Sequence, residues 1–320
     1  MRKLILLAFI TLAPICSFSQ YNWDFGIGIG AANPLGDMGG KELTRRDFVS
    51  DLKFKQTQLS GKVFARYKIG RMFTIKAGID YACLRGADSL TTNPARHYRN
   101  LSFRNQTFNM NAMCQFNFYE ETDLGNTYRY KDSFKAFIGL GVGALYHNPK
   151  AFYQGSWVAL RPLMTEGYAY KKFTVVIPAE IGFNFTINKN YRIGWNFTWV
   201  TTFTDYLDDV STNYADPSTL SSPLSVALAD RTNHAAANAY GASLTPSEPG
   251  WGNNFGYGIS TVEGKTHFNK RGDSSHNDSY LTSTLELSYV LRGKSSLYKS
   301  RYSSLFKKGK SKHRKVRAKF

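Results

Sequence analysis

Eight charged residues in this chain share an unusual setting. Asp24, Asp80, Glu180 and Glu286, with Lys62, Arg66, Lys76 and Arg192, each fall on the polar phase of a segment whose other phase is apolar. Four acids and four bases on one common side would be costly as isolated buried charges and stable as a paired set. That pattern predicts a structural charge network rather than a reacting centre. A second cluster, Asp205, Asp208 and Asp209, follows an apolar segment directly. Carboxylates there could take a divalent cation, or serve a hydrolase with His147. The simpler reading is that they cap and order the start of a long loop. The six histidines show no ligand spacing, so neither a metal nor any cofactor is expected.

Other candidate motifs are weaker. Gly26, Gly28 and Gly30 are spaced by two, without a G-x-G-x-x-G pattern or a following helix, so nucleotide binding is not expected. Arg271-Gly272-Asp273 spells an adhesion tripeptide that this composition produces readily by chance. Parity puts Cys83 and Cys114 on the apolar faces of neighbouring strands. About six residues of height, roughly 20 Å, would separate them, too far for a disulfide.

The elements that would position these groups are strands. Trp23, Phe25, Ile27, Ile29 and Ala31 alternate with Asp24, Gly26, Gly28 and Gly30. Bulk on one side and almost nothing on the other suits a narrow barrel whose oily side meets lipid. Residues 59–69, 73–83, 108–118, 136–146, 173–187, 191–203 and 281–291 repeat the alternation. The clearest case is Phe108, Met110, Ala112, Cys114, Phe116 and Phe118 against Asn109, Asn111, Met113, Gln115 and Asn117. Ile138 to Ala144 echoes the first strand, with glycines on the polar phase. The expected fold is all-β, an eight-stranded antiparallel transmembrane β-barrel with long outer loops over residues 20–291. Short to medium reversals follow strands two, four and six, and long ones follow one, three, five and seven, the longest being 204–279. A lipocalin-like soluble barrel is the competing fold, and it would turn its oily faces inward. An eight-stranded lumen is filled by side chains, so a plug rather than a pore is expected.

The two ends fix the address. Arg2 and Lys3, an apolar run from Leu4 to Ile15 and Ser17 to Ser19 read as a secretory signal peptide over 1–19. Ile15 is too large for a lipobox ahead of Cys16. Aromatics make up 15% of residues while mean hydropathy is −0.36, a combination that alternation explains and a helical membrane protein does not. The net charge is +18, and residues 292–320 hold twelve Lys or Arg and no acid, so the basicity is a tail. Its densest part is Lys307, Lys308, Lys310, Lys312, Arg314, Lys315, Arg317 and Lys319. An exported chain meets little nucleic acid, so that habitual partner of basic tails is not expected. Placed in the periplasm, the tail would meet outer-membrane lipid headgroups or an acidic protein partner. The expected location is the outer membrane.

Five stretches then look familiar. They are Asn33-Pro34-Leu35-Gly36-Asp37, Arg99-Asn100-Leu101-Ser102-Phe103-Arg104, Asn148-Pro149-Lys150-Ala151, Trp157 to Leu163 with Thr165-Glu166-Gly167, and Thr204 to Ser211. In this order they resemble the PorG-like outer-membrane barrels of the type IX secretion system in Bacteroidota. The resemblance covers residues 21–291. It implies a non-enzymatic barrel that anchors or positions the periplasmic secretion-ring proteins, in an apparatus that exports proteins and, in gliding species, adhesins. The alternative is a generic surface barrel whose long loops bind ligand or host material.

Overall fold

In the computed structural model, eight antiparallel strands close into one barrel: β1 (Trp23–Leu35), β2 (Gln58–Ile69), β3 (Phe73–Ala87), β4 (Ser102–Thr122), β5 (Asp132–Tyr146), β8 (Phe173–Ile187), β9 (Tyr191–Thr202) and β12 (Ser279–Leu291). A hairpin of β6 (Pro149–Tyr153) and β7 (Ser156–Ala159) rises beside β4, and β10 (Ile259–Val262) pairs with β11 (Lys265–Phe268) separately. The structure describes residues 23–38, 53–69, 72–91, 94–122, 132–187, 190–243, 259–262, 265–268 and 270–291. The signal peptide at 1–19 and the basic tail at 292–320 lie outside them.

Closure follows from register. Trp23 stands opposite Leu291 and Tyr67, and Ile75 opposite Cys114, so each strand bonds a neighbour on both sides and no barrel edge is left open. The alternation points outward: Ile27 and Leu140 are each 61% exposed, whereas Asp24 is 2% and Lys76 3% exposed. Outward apolar faces exclude the lipocalin arrangement. Two aromatic girdles bound this apolar band. Trp23–Tyr67, Phe73–Phe116 and Tyr191–Tyr289 mark the rim that carries both strand termini, while Tyr81–Phe108 and Tyr146–Phe173 mark the other. Phe73 and Tyr81 are eight residues apart on β3, roughly 26 Å of strand, which matches a bilayer's hydrocarbon band once tilted.

Three sequence expectations need correction. The strands run further than the apolar alternation: β1 reaches Leu35 and β3 reaches Ala87. Beyond the girdle residues 32–35 of β1 and 82–84 of β3 are buried on both phases, so alternation in polarity stops while the hydrogen-bond ladder continues. Cys83 for the same reason is buried at 4% exposure rather than facing lipid, whereas Cys114 is exposed. The register sets them about eight residues apart in height, and both are free thiols. Finally, the stretch read as one long loop contains the helices α2 (Pro223–Ala229) and α3 (His234–Ser243), after α1 (Pro94–Arg99) in the β3–β4 connection. Ser222 caps α2 by accepting from the Ser225 amide at 3.1 Å, and Leu224 and Leu228 pack against Ala151, Val158 and Leu160 of the hairpin region.

Candidate functional site

The lumen carries the first charged assembly. Glu286 on β12 accepts from Lys76 at 2.7 Å and from Arg66, and Lys62 stands 3.7 Å away. Lys76 also donates to Glu180 at 3.0 Å. Asp24 accepts from Arg192 at 2.7 Å and lies 3.8 Å from Arg66. Seven of the eight parity-selected residues therefore join one ion-pair set. The eighth, Asp80, faces Lys62 across the β2–β3 ladder and accepts from Asn111 at 2.7 Å. Phe64 sits among them, with the Arg66 guanidinium 4.4 Å and the Lys76 ammonium 4.7 Å from its ring centre. The first-strand glycines make room for this set. A Cβ on Gly26 would lie 2.4 Å from the Phe64 ring, and one on Gly28 would lie 2.8 Å from the Lys62 stem. A further triad escaped the sequence reading: Glu120, taken for a turn residue, stands 2.9 Å from Lys68 and 3.1 Å from Lys135.

Above the charges the interior changes character. Ala32, Ala82, Leu84, Leu145, Val176, Val200 and Tyr280 point inward and pack with Phe103 at the start of β4 and with Leu101, Leu207 and Val210 from the connections. Apolar packing thus seals the barrel at the rim opposite the termini.

Over that seal the long connections build a cap with its own buried polar core. Arg271 is 2% exposed, 2.9 Å from Glu166 and 3.5 Å from Asp209, and it also donates to the Asp209 carbonyl. Asp209, at a left-handed φ of 73°, accepts further bonds from Thr165 at 2.5 Å and Tyr170 at 2.7 Å. Glu166 also takes the Ser211 and Thr212 amides at 3.0 and 2.9 Å. Across the cap Arg99 forks onto Asp88 at 2.7 and 2.8 Å and donates to the Asp37 carbonyl at 3.0 Å. Burial opposes both guanidinium charges, but Asp88 overrides it at Arg99, and Asp209 with Glu166 at Arg271, so each is held charged above its ordinary value.

The carboxylates without such a partner behave differently. Asp208 accepts the Met38 and Val210 amides at 3.2 and 3.0 Å, and Asp278 accepts the Leu207 amide at 2.9 Å. Burial, then the Asp37 and Asp205 charges, push Asp208 well up; burial, then Asp208, do the same for Asp278. Burial pushes Asp205 up to about 7. Asp205, Asp208 and Asp209 thus all lie buried in the cap, with Asp208 and Asp209 tying down loop backbone or side chains. Among the described residues no three His, Cys, Asp or Glu form a group that could hold a metal ion. His147 stacks in parallel on Tyr170 at 6.0 Å, and burial brings its pKa down to about 4. The adhesion tripeptide is likewise structural: Arg271 is enclosed, and a Cβ on Gly272 would fall 2.5 Å from the Ser211 amide nitrogen. Asp88 and Asp278 were not named from sequence, and Arg99 and Glu166 entered only within the stretches of family resemblance, because they sit in connections where no alternation marks a buried face.

Residues 2–221 match a family described as a domain of unknown function, DUF6089. The chain belongs to that family. The match ends before α2, α3 and β12, so this DUF6089 barrel takes its last wall strand from outside the matched span. No curated protein matches the sequence. Among solved structures, Ail, the attachment invasion locus protein of Yersinia pestis, is 8% identical at a TM-score of 0.34, over 84% of this chain and 99% of that one. Neisserial surface protein A is 7% identical at a TM-score of 0.37, over 85% and 98%. Overlaps this loose carry neither ligand nor activity to the DUF6089 chain.

Proposed function

We propose that this protein is a non-catalytic outer-membrane barrel that anchors or positions the periplasmic ring of a type IX secretion apparatus. The observation that carries the reading is the filled interior. Paired charges occupy the lumen and apolar side chains seal it above, so the working surfaces are the two ends. The apolar band with its two girdles supports the outer membrane as the location, since only a closed ladder satisfies strand backbone in lipid. The secretion role rests on the five stretches that resemble the PorG-like barrels. Trp23 and Leu291 share the rim reached by the short connections, which supports a periplasmic side for the tail that follows Leu291. Its charge suits an acidic ring component. Deleting residues 292–320 should release the ring proteins in a salt-sensitive pull-down from envelopes; unchanged co-purification refutes the anchoring role.

A second reading has one observation in its favour. Phe152 and Trp157, 5.4 Å apart, stand exposed on the β6–β7 hairpin beyond the sealed rim. A generic surface barrel would use such aromatics to hold ligand or host material. Loss of adhesion with secretion intact after Phe152→Ser/Trp157→Ser favours it over the anchor.

A further inference from the structure

The barrel wall just below the cap has an outward groove of about 600 Å³ between the upper ends of β5, β8 and β9. Its floor is apolar: Phe173, Val175 and Phe203 are all more than half exposed on the lipid-facing side. Its upper lip is basic. Lys171 lines it, Lys172 follows immediately, and both side chains are exposed. Among the described residues neither ammonium has an ion-pair partner. The back wall is His147, whose fully buried imidazole lies against the Lys171 backbone and so fixes the lip that carries Lys171.

Position decides what fits. The groove lies at the girdle opposite the strand termini, beside Tyr146–Phe173, where a lipid headgroup meets its acyl chains. An acidic protein segment would satisfy the lysines but would leave Phe173, Val175 and Phe203 uncovered. A phosphorylated lipid satisfies both halves, with chains along the apolar floor and phosphate oxygens at the lip. The rim opposite the termini faces the outer leaflet, whose phosphate-bearing lipid is a glycolipid. The geometry points to a specific site for a phosphorylated outer-leaflet glycolipid, with Lys171 and Lys172 holding a phosphate and the acyl chains lying on Phe173, Val175 and Phe203. This rests on the outer-membrane location and is independent of the secretion role.

The test uses the full mature chain in nanodiscs of phosphatidylcholine doped with bisphosphorylated lipid A, dephosphorylated lipid A or phosphatidylglycerol. Native mass spectrometry reads the lipid retained, and heat-modifiable migration scores barrel insertion separately. The wild type should retain bisphosphorylated lipid A, and Lys171→Gln/Lys172→Gln should weaken retention roughly thirty-fold, the effect of two interfacial charges. Dephosphorylated lipid A should bind no better to the wild type than bisphosphorylated lipid A does to the variant. Raising salt on the wild type makes the same comparison if the variant inserts poorly. Equal retention by wild type and an inserted variant, or salt-independent retention, overturns the site. Equal retention of phosphatidylglycerol overturns the glycolipid assignment. Failure of the wild type to insert at all would count against the membrane reading itself.

Discussion

Glu286 is the position at which the lumen can be tested most sharply. Its carboxylate is 1% exposed and faces three cations, Lys76 at 2.7 Å, Arg66 and Lys62 at 3.7 Å. Glu286→Gln keeps the shape and removes the charge. Lys76 then retains Glu180 and Arg66 retains Asp24, while Lys62 keeps Asp80 opposite it on β3, and the lumen set is left with one cation in excess. Breaking a buried ion pair from one side costs about 3–5 kcal/mol, since what remains is an uncompensated charge. With a urea dependence of about 3 kcal/mol per molar, the unfolding midpoint of the inserted barrel should fall by roughly 1 M or more. Tryptophan fluorescence and heat-modifiable migration both report that midpoint. Glu286→Gln/Lys62→Met restores charge balance and should recover a good part of the loss. A midpoint that stays put in the single variant refutes the network as a source of stability. A double variant worse than the single one shows that side-chain fit, and not charge balance, is what Glu286 provides.

The cap yields two further predictions. Burial raises Asp205 to about 7, so the folded cap binds that proton more tightly than the unfolded chain does. The stabilisation is complete below the ordinary carboxyl value of about 4 and is lost as pH rises through about 7, a swing that solvent screening holds to about 2 kcal/mol. Backbone amides of residues 205–211 should therefore exchange hydrogen more slowly at pH 5 than at pH 8 after correction for intrinsic rates, and Asp205→Asn should level the difference; faster corrected exchange at pH 5 contradicts the assignment. Arg271→Met leaves Glu166 and Asp209 buried without their cation, at a cost of about 3–5 kcal/mol. Proteases should then cut between 203 and 243 in intact cells while the barrel still migrates as folded, and a cap as resistant as the wild type's would show that Arg271 does not hold it.

The barrel was legible because each wall strand keeps period-two alternation through the membrane, where lipid outside and a narrow interior enforce it. The same rule reached the lumen charges: Asp24 and Glu286 lie on strands far apart in sequence, yet parity put both inside. It failed where lipid ends. Cys83 keeps the phase of Tyr81 but lies beneath the cap, so its burial depends on connections whose course no periodicity encodes. Arg99 and Asp88 are eleven residues apart with no pattern joining them; a turn, α1 and the Leu101 amide on Asp88 at 3.0 Å bring them together. Glu120 was misjudged for a related reason, because β4 continues past its apolar alternation and carries Glu120 inward to Lys68 and Lys135.

The stretches that carry the family resemblance are scattered over residues 33–211, yet four of the five place cap residues in contact. Asp37 from the first accepts the Asp273 amide, and Arg99 from the second donates to the Asp37 and Arg271 carbonyls. Thr165 and Glu166 from the fourth bind Asp209 and the Ser211 amide of the fifth. Residues of the third, Asn148 and Ala151, meet Asn105 just beyond the second stretch at 2.9 Å and the apolar cluster beneath α2. What identifies the chain among barrels is therefore not its wall, which any alternating sequence of this length could supply, but the polar core that shapes the surface above it. A secretion anchor and a ligand-binding surface barrel both need a rigid upper face, so the cap alone does not separate them. Deleting residues 292–320 does: a rigid cap with a dispensable tail fits the surface binder, and a rigid cap whose barrel loses the ring with its tail fits the anchor.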